Sequence, residues 1–152
     1  MKPVVFLRIA SVLTLIHSVL HTVGGVFGKP APGISAATLA AMKANEFPAF
    51  GLTRSYFQFY RGLGLGITIF LTAEAIVFWQ LGTLAKSDAA RLRPIIATFM
   101  VAYLVFALDS YEYFFFMPVI VEIVIAACLG IAIATAKAPR EATASHVATR
   151  TA

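Results

Sequence analysis

His17 and His21 stand four residues apart inside the apolar run IASVLTLIHSVLHTVGGVF. At that spacing two imidazoles lie one helical turn apart on one face, where they can pass a proton, hold a ligand or bind a metal. Arg61, Glu74, Asp109, Glu112 and Glu122 are likewise set in apolar stretches. An ionisable group in hydrocarbon costs at least about 2.5–3.5 kcal/mol at mid-bilayer, so such groups are expected to face inward and pair. His17, His21, Asp109 and Glu122 are therefore the candidate acid–base set, with Tyr60, Arg61, Glu112, Thr14 and Thr68 as candidate ligand-binding residues. Arg61 keeps its proton, and Asp109, Glu112 or Glu122 is its expected partner. His17 and His21 also have the spacing for a Zn, Fe or Cu site, although the motif lacks the Glu of HExxH. Metal is thus an alternative and no cofactor is assigned; bis-His haem is disfavoured because both rings lie on one helix. A purely structural polar network is the competing reading of the same residues.

Composition says what must position these groups. The 152 residues are 60% hydrophobic and 12% charged, with 13 Phe, against about 45–50% apolar in soluble domains. That marks a membrane protein. A net charge of +5 brings no nucleic-acid expectation, because the Lys and Arg residues fall between apolar runs and form no patch. The single cysteine, Cys128, lies in an apolar stretch, so no disulfide framework is expected.

Four stretches are long enough to cross about 30 Å of hydrocarbon: residues 4–27, 56–85, 94–116 and 118–136. The expected fold is all-α, an antiparallel four-helix transmembrane bundle. Pro118 marks the restart of the fourth span, with an earlier turn at DSYEY, residues 109–113, as the competing choice. The first stretch opens like a signal peptide but has no clean small-x-small site, and it reads as an uncleaved helix. In the loop 28–55, Ser35 is the expected cap of a short helix over SAATLAAMKANEF, and FPAFG turns the chain into the second span. That loop is a lid or an interfacial anchor. Gly62 and Gly66, with Gly64, form the small-residue pattern that lets a neighbouring helix approach. Trp79 and the aromatic residues near span ends read as interfacial belts. The tail 138–152 is expected to be disordered, with His146 a solvated bystander.

Orientation follows from the flanking charges. Lys2, Arg8, Lys86, Arg91, Arg93, Lys137, Arg140 and Arg150 fall on one side, and Lys29, Lys43, Arg54 and Arg61 on the other. The excess predicts cytoplasmic termini and an outer 28–55 loop. At 1.5 Å per residue, His17 then lies ~20 Å from the inner end of its helix, in the outer half. Tyr60, Arg61, Asp109, Glu112 and Glu122 are expected at the same level, with Glu74 deeper.

The His pair in the first helix, FPAFGLTRSYFQFYRGLGLG opening the second and YFFFMP between the last two resemble small, uncharacterised four-helix bacterial inner-membrane proteins of a loosely DoxX-like kind. The resemblance covers roughly residues 5–136 and implies the four-helix fold and an inner-membrane location, with no activity attached. Two functions follow from the residues. One is a protein that binds, and by acid–base chemistry transforms, a lipophilic small molecule at the outer polar cluster. The other is an accessory subunit that packs on a membrane partner or on copies of itself.

Overall fold

A computed structural model describes residues 2–137. The fold is all-α apart from one small hairpin. Its elements are α1 (Lys2–Leu20), continued by a π-helical turn (His21–Val26), α2 (Ile34–Ala44), β1 (Glu46–Ala49), β2 (Leu52–Ser55), α3 (Tyr56–Asp88), a 3₁₀ turn (Ala90–Leu92), α4 (Arg93–Tyr113) and α5 (Phe116–Thr135). Four helical segments are long and apolar enough to cross a membrane: Lys2–Val26, Tyr56–Asp88, Ala90–Tyr113 and Phe116–Thr135. The chain is accordingly a multi-pass membrane protein. Met1, the tail 138–152 and His146 lie outside the described residues.

The residues form two compact bodies, one of residues 10–78 and one of residues 2–9 and 79–137. In the first, α1 turns a face bearing Ser11, Thr14, His17 and Ser18 inward, all buried, while Val12, Leu15, Ile16 and Val19 are exposed. This division sets small polar groups in the packed seam and leaves branched apolar chains for lipid. Gly24 and Gly25 lie in the π turn, closed by the Phe27 N–H donating to the Thr22 carbonyl at 3.0 Å. Gly28 follows because a Cβ there would stand 2.0 Å from the Gly24 carbonyl oxygen.

Helix α2 starts at Gly33, whose φ of 88° no ordinary side chain adopts easily, and no side chain caps it. Ser35 is inside the first turn, so its expected capping role is corrected: the PAPG turn delivers the chain to the helix through glycine instead. After α2, FPAFG forms a hairpin that the residue pattern did not announce. β1 and β2 pair antiparallel with Ala49 opposite Leu52, and Phe50 and Gly51 carry φ of 47° and 81°. Two positive φ values at the centre of a two-residue loop match the twist of the strands. The hairpin hands the chain to α3 through a capping box. The Gln58 N–H donates to Ser55 Oγ at 3.2 Å and the Ser55 N–H to Gln58 Oε1 at 2.9 Å.

In the second body, α4 and α5 fold back on one another across Phe114 and Phe115. Their packed residues include Ile96, Tyr103, Ile125 and Leu129, each at most 2% exposed. The segment DSYEY is the last turn of α4, so the alternative of an earlier turn falls away. Helix α5 begins at Phe116, and Pro118 occupies its first turn, where a missing N–H costs nothing. Trp79, expected as a belt residue, has a specific partner: the Arg8 guanidinium stacks 3.4 Å from its ring centre while Nη2 donates to Thr83 Oγ1 at 2.8 Å. Gly82 leaves the room, since a Cβ there would stand 3.2 Å from Arg8 Nε.

Candidate functional site

The candidate residues divide between the two bodies: Thr14, His17, His21, Tyr60, Arg61 and Thr68 in residues 10–78, and Asp109, Glu112 and Glu122 in the other. In the first body α1 and α3 meet along a seam of hydroxyl groups. Ser11 donates to the Ala75 carbonyl at 2.6 Å. Two turns on, Ser18 Oγ lies 3.1 Å from the Thr68 carbonyl and 2.9 Å from Thr72 Oγ1. Thr22 lies 2.9 Å from Thr68 Oγ1 and 2.6 Å from the Ser18 carbonyl. Each hydroxyl has one proton, so these contacts compete. One consistent assignment has Thr72 donating to the Thr68 carbonyl, Ser18 to Thr72, Thr22 to the Ser18 carbonyl and Thr68 to Thr22.

His21 completes the seam. Its Nε2 lies 3.0 Å from the Gly64 carbonyl oxygen, and a carbonyl only accepts, so Nε2 carries the proton and donates. Nδ1 faces Gly25, 3.5 Å from where a Cβ would be. The histidine thus caps the polar seam at the start of the π turn, a feature frequent at functional sites. His17 and Thr14 are buried on the same face of α1, at 7% and 0% exposure. Among the described residues no group of three or more His, Cys, Asp or Glu side chains is placed to hold a metal ion.

Of the three glycines expected to admit a neighbouring helix, Gly64 does so and Gly62 and Gly66 do not. A Cβ at Gly62 or Gly66 would meet nothing within 4 Å, whereas one at Gly64 would stand 3.0 Å from Val26 Cγ2 and 4.0 Å from His21 Nε2. Gly64 is the contact glycine because it shares the face of Thr68 and Thr72, at four-residue steps; its neighbours two positions away point elsewhere.

Beyond the seam, the π turn, α2 and the first two turns of α3 enclose an open cleft of 680 Å³. Tyr60 and Arg61 line it, with Phe27, Met42, Lys43 and Phe57. The Arg61 guanidinium lies 4.5 Å from the Phe27 ring centre and 5.5 Å from that of Phe57, and Lys43 Nζ lies 5.0 Å from the Phe57 ring. All three are within cation–π range. Within its own body Arg61 therefore rests on the aromatic faces of Phe27 and Phe57. Tyr60 is exposed at 54%.

In the second body the carboxylates behave differently from one another. Glu122 is fully buried on α5 and accepts a hydrogen bond from Ser110 Oγ at 2.9 Å. Asp109 and Glu112, near the end of α4, are exposed. The sequence reading missed Ser18, Thr22, Lys43, Phe57 and Ser110. The Ser/Thr recurrence at 11, 14, 18 and 22 signals the seam; nothing local signals that Lys43 and Phe57 meet. No family model matches the chain, and no curated protein or solved structure matches it at a significant level.

Proposed function

We propose that the protein binds a lipophilic small molecule in the cleft between the π turn, α2 and α3. The supporting observation is the cleft itself: 680 Å³ with Tyr60 and Arg61 on its wall falls in the range of about 300–1,000 Å³ usual for ligand sites. Helix α2 is the lid of this reading. Binding, rather than transformation, is what the cleft supports, since neither His17 nor His21 lines it. Native mass spectrometry of gently solubilised protein tests it. A bound small molecule is expected in the parent and lost in Thr38→Trp, which fills the cleft; retention of the same species in that variant would refute the placement.

The location proposed with it is a bacterial inner membrane, of DoxX-like kind by its motifs, with an antiparallel bundle, both termini cytoplasmic and residues 28–55 outside. Its support is the distribution of Lys and Arg. Cysteine introduced at Ser35, exposed on α2, is expected to react with an impermeant maleimide from the outer face only. Labelling confined to the cytoplasmic face would reverse the topology.

A second reading, an accessory subunit docking on a membrane protein or on a second copy, is favoured by the run Tyr111 to Met117. Tyr113, Phe115 and Phe116 there are 75%, 68% and 68% exposed, surface that either an interfacial belt or a partner would cover. A partner chain in the mass spectrum, with the cleft empty of small molecules, would select it.

A further inference from the structure

The charge lining the cleft says more than its volume. Three of its residues are cationic, Lys29, Lys43 and Arg61, and none is acidic. Two of these cations converge on one ring: Lys43 from the last turn of α2 and Arg61 from the second turn of α3 both lie over Phe57. Like charges gathered around one aromatic ring repel one another, and the ring quadrupole offsets only part of that cost. An anion between them would reverse the sign of the balance. The remaining walls are apolar, with Val26, Phe27, Leu39 and Met42 among them. The cleft also lies at the ends of two spans, where hydrocarbon gives way to the headgroup layer.

Resting on the small-molecule reading above, we infer that the ligand is an anionic amphiphile whose phosphate or carboxylate sits between Lys43 and Arg61 and whose apolar chain lies along Phe27, Leu39 and Met42. Arg61 supplies a planar fork that fits two anionic oxygens, and Lys43 a point charge on the lid. A phosphate monoester has the required chemistry whether it is the head of a lipid or a free ion.

The test uses the full chain in dodecyl maltoside with three probes, dodecyl phosphate, dodecanol and inorganic phosphate, read by native mass spectrometry and calorimetry. Dodecyl phosphate is expected to bind about tenfold or more tightly than dodecanol, with the advantage lost in Lys43→Gln and in Arg61→Gln and retained in Lys43→Arg. Lys43 is exposed on α2, so Lys43→Gln separates loss of the anion site from loss of the fold, and a thermal melt of each variant verifies this. Competition by millimolar inorganic phosphate would support the anion site with the free ion as its source; no competition would support it with the amphiphile. Equal binding of dodecanol and dodecyl phosphate in parent and variants would overturn the anion while leaving the small-molecule reading standing. Binding of neither would overturn both.

Discussion

Gly64→Leu is expected to destabilise the protein by about 2–4 kcal/mol in thermal or denaturant unfolding in detergent. The added side chain starts 3.0 Å from Val26 Cγ2 and 4.0 Å from His21 Nε2, so α1 and α3 must separate. Overpacking a tight contact costs roughly 1–3 kcal/mol. Separation also breaks the His21 bond to the Gly64 carbonyl and the paired hydroxyls of Ser18, Thr22, Thr68 and Thr72, and interhelical polar contacts of this kind average about 0.6 kcal/mol each. Gly62→Leu is the matched control. It meets nothing within 4 Å and replaces a poor helix former with a good one, so it is expected to stay within about 0.5 kcal/mol of the parent or to rise above it. Equal losses in the two variants would mean that α1 and α3 do not meet along Gly64.

Ser110→Ala is expected to cost about 1–3 kcal/mol, out of proportion to the one hydroxyl removed. Its Oγ donates to Glu122 Oε1 at 2.9 Å where Glu122 is 0% and Ser110 2% exposed, and water cannot replace the lost donor. The double variant Ser110→Ala with Glu122→Leu is expected to be more stable than Ser110→Ala alone, because it withdraws the carboxyl whose bond the first change removed. The readout is the coupling from the four-member cycle, expected at about 0.5–3 kcal/mol. Additive losses would show that the bond contributes nothing to holding α4 on α5.

Much of the architecture was legible in the residue order. Apolar runs of about 20 residues between charges predict spans, because an unpaired charge or a bare peptide group in hydrocarbon is costly whatever the fold. The four spans accordingly fall within a few residues of expectation, and α3 runs on only to Asp88. The loop helix was legible for the same local reason, an Ala-rich segment behind a PAPG turn. Its start was not, since either Ser35 or Gly33 can begin a helix and backbone torsion decides between them.

What the sequence leaves open is rotation: a helix can turn about its axis without altering its spacing. Gly62, Gly64 and Gly66 are equivalent in a pattern, and packing against Val26 singles out Gly64. Asp109, Glu112 and Glu122 are equivalent as charges among apolar residues, yet the contact between α4 and α5 buries Glu122 on Ser110 and leaves the other two exposed. Arg61 called for a stabilising partner, and within its own body the rings of Phe27 and Phe57 lie against it. The type of group each side chain requires is a property of the side chain; which neighbour supplies it depends on the angle at which one helix meets the next, and that angle is set by the packing of both surfaces together.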